Sequence, residues 1–481
     1  MDLTTTEDTK ATGQTSVRKY LVLVICCASL LISVMDISIV NMALPAIRDD
    51  LHASTAGLQW TVDAYTLVLA SFLMLAGSTA DRYGRKRMFR LGLTVFGLGS
   101  LLCSLAPGID ALIAARAVQA VGGTMLNPVA MAIVVGVFPD RAERARAIGI
   151  FGATAGLSLV LGPILGGALV DGLGWRSIFW VNLPIVVLAV IFTSRYVPES
   201  RAAHGRRFDP IGQLLVVLLL GGVVTAIIES EKHGWTSPAI IALLVVAAIA
   251  AVALIRYELR RTEPMLELRL FRSIPFSSAV VIALVAYSGF GVFLFVTTLY
   301  LQSVRHLSAL SAGLSLLPVG LLICVLSPLS GRVVGAYGPR LPLTIAGTAL
   351  TLGAIASLTV GLTTPLPLVL AIFLLFGVFL GTINPPIANS AVSGMPASMA
   401  GLAGSLASVG RQTGMSLGVA VAGSIVGASA TTDPRHFVRA AHTVWWPMIA
   451  VGLVVVALAL ISTSRRARLT VQELEPATRS A

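Results

Sequence analysis

Between residues 20 and 463 the chain is a succession of apolar stretches of about 20 residues or more, parted by short loops that hold most of the charge. Crossing ~30 Å of hydrocarbon takes about 20 residues of α-helix, and a helix satisfies its backbone N–H and C=O groups within its own segment. A chain patterned this way is expected to be an all-α polytopic membrane protein. About fourteen spans can be read, at 20–44, 56–80, 90–107, 110–137, 147–170, 177–195, 210–229, 238–257, 275–301, 310–331, 341–361, 366–390, 399–427 and 444–463. Composition agrees, since 12% of residues are charged against about 25% in a soluble domain.

Orientation follows from the loop Gly77–Arg90, GSTADRYGRKRMFR, a cluster of charge (Asp81, Arg82, Arg85, Lys86, Arg87, Arg90) between two apolar runs. Lys and Arg are costly to translocate, so this turn is expected on the cytoplasmic side. With the N-terminus also inside, the inner segments hold 26 of the 34 Lys and Arg and the outer loops 6, while Arg116 and Arg411 lie within spans. One span miscounted early would scramble that split, so an even count with both termini cytoplasmic is expected. The apolar run after the polar residues 1–19 is too long for a signal-peptide core and is expected to be retained.

The layout reads as a cytoplasmic N-terminal tail at 1–19, a six-helix bundle at 20–195 and two linker helices with flanking loops at 196–272. A second six-helix bundle at 273–463 and a cytoplasmic tail at 464–481 complete it. The loop Gly331–Arg340, GRVVGAYGPR, is a worn copy of the opening turn at the matching place in the second bundle, without its acid. Such internal repeats build many secondary transporters.

Several function classes are excluded. The net charge of +12 is spread over loops between spans as a topology signal, so no nucleic-acid partner is expected. The four cysteines (Cys26, Cys27, Cys103, Cys324) all lie in apolar runs and read as small hydrophobes, neither disulfides nor metal ligands. None of the four lysines follows a glycine, so there is no Walker A loop, and no H-E-x-x-H occurs. An enzyme or an ATP-driven pump on this chain alone is not expected, and neither is a cofactor.

Charge inside a span is the strongest pointer to function, because each such residue costs about 2.5–3.5 kcal/mol at mid-helix. Asp36, Asp63 and Arg116 stand in the first, second and fourth spans. At 1.5 Å per residue all three fall about 10–12 Å below the outer ends of their spans, in one layer that can face one cavity. The expectation is a proton-binding carboxylate opposed by a nearby cation, with a purely structural buried pair as the plain alternative.

The surrounding motifs carry a resemblance. Gly77–Arg90 is similar to the loop G-x-x-x-D-R-x-G-R-[RK] between helices 2 and 3 of major facilitator superfamily transporters. MDISIVNMALP (Met35–Pro45) resembles the first-helix signature L-D-x-T-[IV]-V-N-[VI]-A-L-P of that superfamily's fourteen-helix drug:proton antiporters, with Ser38 for the usual threonine. LIAARAVQAVGG, holding Arg116 and Gln119, resembles R-x-x-Q-G-x-G-[AG], with Ala120 for the first glycine. GATAGLSLVLGPILGG (Gly152–Gly167) resembles the helix 5 antiporter signature G-x-x-x-G-P-x-x-G-G, found in exporters.

In that string Gly152/Gly156 and Gly162/Gly166 are small-xxx-small pairs that let a neighbouring helix approach, Gly167 closes the motif, and Pro163 permits a bend. Trp175–Pro184 (WRSIFWVNLP) and the run around Arg411, GRQTGMSLGVA, also resemble this branch.

The resemblance implies an antiporter that exports hydrophobic, often cationic, drugs or antibiotics across the bacterial inner membrane by alternating access, driven by the proton gradient and acting as a monomer. It implies proton coupling by Asp36, with Arg116 controlling release; Asp63 is added from its depth. Gly77, Asp81, Arg82, Gly84, Arg85 and Lys86 read as a conformational latch: the glycines for close packing and a tight turn, Asp81 to grip a helix N-terminus or basic residue when the inner side is closed. Candidates for the substrate cavity are Asn41, Trp60, Tyr65, Gln119, Glu229, Phe293, Tyr300 and Arg411. The alternatives are a dedicated exporter of one antibiotic, siderophore or metabolite, and an uptake symporter.

Overall fold

The computed structural model describes residues 4–201, 209–261, 264–393, 395, 397–426, 434–467 and 469–470. Among these residues the chain forms fourteen helical rods and no strand. They are α1 (Thr4–Leu51), α2 (Thr55–Tyr83), α3 (Arg85–Ser104), α4 (Ile109–Val137), α5 (Arg141–Leu173) and α6 (Ser177–Tyr196). Then follow α7 (Pro210–His233), α8 (Pro238–Glu258), α9 (Ile274–Val304), α10 (Ala309–Tyr337), α11 (Arg340–Ser357), α12 (Leu366–Val392), α13 (Ala397–Val426) and α14 (Pro434–Ser462).

Twelve of them are long and apolar enough to cross a membrane by length and composition. α3 and α13 fall short: the first begins with Arg85, Lys86, Arg87 and Arg90, and the second is diluted by glycine and serine.

Local chemistry sets the rod ends. Ser54, Ser237, Ser273 and Ser308 each accept a hydrogen bond from a backbone N–H in the first turn of the following helix, and Asp209 does so for α7. Proline stands at the start of α7, α8 and α9, where no N–H is missed. Two expected boundaries move. α1 begins at Thr4, inside the stretch expected as a tail, and runs through Pro45 to Leu51, because a polar or proline-bearing segment can prolong a helix beyond its apolar core. α10 breaks at Leu316, ahead of Pro318, whereas α12 stays continuous through Pro385 and Pro386.

The packing is repeated. α1 lies on α5, α2 on α4, and α3 on α4 and α6; in the same order α9 lies on α13, α10 on α12, and α11 on α12 and α14. These two groups of six meet mainly through α2 with α13 and through α5 with α10. The remaining hairpin, α7–α8, lies outside both, with α7 against α2 and α13. Lipid offers helices no hydrophobic gain on association, so close approach depends on small residues and buried polar contacts. Gly92 and Gly122 at the α3–α4 crossing, and Gly347 and Gly452 at the α11–α14 crossing, leave backbone against backbone.

The opening turn now has a physical cause. Gly84 ends α2 at φ +112°, in the region that favours glycine, and a Cβ there would come within 2.6 Å of Glu199 Oε1. Gly338, at the matching turn of the second group, has φ +84°. Below, the end of the molecule that holds the Gly84 turn is called the basic end, and the opposite one the far end.

Candidate functional site

Asp36 on α1 and Arg116 on α4 meet in the interior of the first six helices, both virtually inaccessible to solvent. Arg116 Nη1 donates to Asp36 Oδ2 at 2.5 Å and to Gln119 Oε1 at 2.7 Å, and its Nε donates to the Thr61 carbonyl at 3.0 Å. Gln119 Nε2 donates to Asp36 Oδ1 at 2.8 Å and to Ser100 Oγ at 2.9 Å, and Asn182 Nδ2 reaches the same hydroxyl at 3.3 Å. The guanidinium sits 4.4 Å from the centre of the Tyr65 ring and 5.9 Å from that of Phe179. One carboxylate with both oxygens occupied thus ties α1, α2, α3, α4 and α6 together. A buried pair of this kind is expensive to desolvate and marks function more readily than stability.

Asp63 does not join this cluster. Two residues beyond Thr61, it turns to the other side of α2, where Thr66 Oγ1 donates to its Oδ1 at 3.2 Å and the Ser416 hydroxyl of α13 faces it. It is fully buried, its Oδ2 accepts no hydrogen bond, and it has no cationic partner among the described residues. The expected single layer of three charges is therefore two sites: a paired one inside the first group, and an unpaired carboxyl at the seam between groups. Depth along a helix is legible in sequence, but the side it faces is set by packing.

Contacts between the groups concentrate at the far end. Gln59 Nε2 donates to the Ala420 carbonyl at 2.8 Å, and Gln302 Nε2 to the Met42 carbonyl at 3.1 Å. Asp171 accepts from the backbone N–H groups of Ala309 and Leu310 at 3.1 and 2.9 Å, capping the start of α10. Glycines make room for this closure. A Cβ on Gly167 would meet Leu310 Cα at 2.6 Å, and one on Gly313 would meet the Pro163 carbonyl carbon at 2.8 Å. Gly162 and Gly166 lie just as tightly on Ser38 and Ile39 of α1.

Toward the basic end the helices part. Among the described residues, no atom of a neighbouring element lies within 4 Å of where a Cβ would stand on Gly77, Gly152, Gly156, Gly335, Gly401 or Gly404. The expected close packing at Gly77, Gly152 and Gly156 is thus absent here, because the opposing helices have separated at that end. The polar contacts of the Gly84 turn stay within the first group. Asp81 Oδ1 accepts from Arg85 Nε and Nη2 at 3.2 and 3.0 Å. Glu199 accepts from the Lys86 N–H at 3.1 Å, and Lys86 Nζ donates to the Ser194 carbonyl at 2.9 Å. Arg82 stacks beside its neighbour Tyr83. The molecule is closed at the far end and open at the basic end.

The other cavity candidates scatter. Tyr65 and Gln119 belong to the Arg116 cluster, and Asn41 is buried, donating to the Ile37 carbonyl at 2.8 Å. Trp60 Nε1 donates to Glu229 Oε1 at 3.2 Å, tying α2 to α7 outside the gap. Phe293 is stacked on Phe376 at 4.4 Å within the second group, and Tyr300 donates to the Gly361 carbonyl at the far end. Arg411 alone of the set is half-exposed at mid-helix, bonded to Asn384 and Ser408. Sequence reasoning missed Thr61, Ser100, Asn182, Gln59, Gln302, Asp171 and Ser416. The two glutamines and Asn182 carry a signal, being large polar residues in apolar runs; a backbone carbonyl and serines carry none.

The Major Facilitator Superfamily model matches residues 26–419 of this chain. The chain belongs to the major facilitator superfamily. It is 40% identical over 409 residues to the multidrug resistance protein Stp of Mycobacterium tuberculosis, covering 84% of this chain and 76% of that one. It is 34% identical over 395 residues to the M. tuberculosis drug efflux pump JefA (82% and 78%). It is 32% identical over 436 residues to the methylenomycin A resistance protein of Streptomyces coelicolor, covering 90% of each. A peptide transporter, POT, solved with sulfate, has the same fold, with a TM-score of 0.65 at 16% identity over 91% of this chain and 94% of that one. As a superfamily member the chain is a multi-pass membrane transporter, not an enzyme.

Proposed function

We propose that this protein is a proton-coupled antiporter that exports amphipathic drugs or antibiotics from the cytoplasm across the bacterial inner membrane. The named activities of its relatives support drug export, and the Asp36–Arg116–Gln119 cluster carries the coupling. In this reading all fourteen rods cross the bilayer, and the basic end with both termini is cytoplasmic. The opening toward that end is then the inward-facing state. One chain encloses the gap between its own halves, which supports action as a monomer.

The cycle runs through the cluster. A proton reaching Asp36 from outside neutralises it, loosens the five helices it ties through Arg116, and favours the inward-facing arrangement. Substrate entering from the cytoplasm or inner leaflet displaces that proton inward, re-forms the pair and returns the gap to the outside. A charge crossing 100 mV carries about 2.3 kcal/mol, roughly a 40-fold concentration ratio. Asp63, unpaired at the α2–α13 seam, is a second protonation site that opens and closes with the seam itself. When the basic end closes, Asp81 leaves Arg85 for a helix N-terminus or basic residue of the opposite half, which makes the turn a latch.

The test is a resistance panel in a drug-hypersusceptible bacterium with and without a protonophore. Protection against several unrelated amphipathic compounds that collapses with the protonophore is expected. Protection against one compound marks a dedicated exporter, and protection indifferent to the protonophore removes the antiport reading.

A further inference from the structure

Resemblance to the drug:proton antiporters implies cationic cargo, but the wall of the gap carries a positive charge of its own. Arg411 lies about 21 Å along α13 from its basic end, close to mid-depth in a ~30 Å core. Its Nη1 donates to Asn384 Oδ1 on α12 at 3.3 Å and its Nη2 to Ser408 Oγ at 2.6 Å, with the guanidinium 5.9 Å from the centre of the Tyr287 ring on α9. Both acceptors are neutral, and no carboxylate pairs with Arg411 among the described residues. The sequence gives the reason: from Leu268 to Thr432 there is no aspartate or glutamate at all. On the opposite half Asp36 is paired with Arg116 and Asp81 with Arg85, while Asp63 is buried at the α2–α13 seam.

Arg411 is half-exposed and Asn384 exposed, although both stand well inside long helices. Lipid cannot satisfy a guanidinium at that depth, so the pair faces the open gap, where charge at mid-membrane depth marks a substrate path. Two of the five N–H donors are used by Asn384 and Ser408, which leaves the remainder as a fork suited to a planar oxyanion.

We infer that Arg411, Asn384, Ser408 and Tyr287 form a subsite for an anionic oxygen group of the cargo, such as a carboxylate, phenolate or sulfonate. The aromatic face of Tyr287 sits beside the scaffold that bears that group. The subsite rests on the export reading above and names the charge of what is exported. It also gives the cavity a sign: among the described residues no carboxylate pairs with Arg411, so a cationic cargo meets repulsion at this subsite.

The experiment compares two xanthene dyes of similar size, anionic fluorescein and cationic rhodamine 123, for uptake into everted vesicles bearing the full chain under an imposed pH gradient. Wild type is expected to transport fluorescein with the lower half-saturating concentration. Arg411→Gln raises that concentration about 10-fold or more, the scale of a charge-assisted hydrogen-bond pair, while rhodamine 123 changes less than about 2-fold or improves. Arg411→Lys retains most fluorescein transport, which separates lost charge from lost folding. If rhodamine 123 moves and fluorescein does not, or if Arg411→Gln weakens both dyes equally, the subsite is wrong and export stands. If neither dye moves in the wild type under either gradient direction, export falls and the subsite falls with it.

Discussion

Asp36→Asn keeps the shape of the side chain and removes its charge. In the structure this leaves Arg116 buried with only neutral acceptors: the Thr61 carbonyl at 3.0 Å, Gln119 Oε1 at 2.7 Å and the ring of Tyr65. Breaking a buried pair by removing one partner costs about 3–5 kcal/mol, because the other charge is left uncompensated. Arg116→Gln leaves the carboxylate of Asp36 in the same position, with Gln119 Nε2 as its remaining donor, and is expected to cost a similar amount. The double variant removes both charges at once. Its cost should therefore fall below the sum of the singles by about 2–3 kcal/mol, the coupling energy of residues in direct contact. The assay is thermal unfolding of detergent-purified protein for all four members of the cycle. Strict additivity, or single-variant costs under about 1 kcal/mol, would refute the claim that the two charges compensate each other in a dry interior.

Other expectations follow from the same geometry. Gly84→Ala should destabilise by about 1–2 kcal/mol from backbone strain alone and further through the 2.6 Å approach to Glu199, so it should exceed Gly338→Ala, where the space is open; relative melting temperatures check this. Gly167→Leu cannot fit against Leu310 with the far end closed, so single-cysteine labelling near Gln59 from the outer side should become faster, while Gly156→Leu should leave it unchanged. Asp171→Asn weakens the cap on α10 by about 1 kcal/mol and should move the same labelling in the same direction. Asp81→Asn should alter the rate of exchange between facing states; an unchanged rate would reduce the turn to a topology signal.

Much of the architecture was legible in residues because a bilayer leaves few options, and apolar length gives the helices. The buried pair was legible for the same reason, since Asp36 and Arg116 have no cheap place in hydrocarbon except against each other. What packing alone decides stayed hidden. Asp63 lies at the depth of Arg116, yet faces Ser416 across the seam. Glycines of one motif on one helix divide into Gly162, Gly166 and Gly167, which are crowded, and Gly152 and Gly156, which are open; the division reports a conformation, and conformation is not written in a motif. Phe293, chosen as a cavity wall, lies in the core, because it has Phe373 and Phe376 to stack on. Arg411 was visible as a charge in a span, but its having only neutral partners among the described residues showed once Asn384 and Ser408 stood beside it.

The central claim is that Asp36 carries the coupling proton. The most direct measurement is dye transport by Asp36→Asn in proteoliposomes, with and without an imposed pH gradient. The account predicts that substrate exchange down its own gradient persists while gradient-driven accumulation is lost. Accumulation at wild-type level in that variant would contradict it.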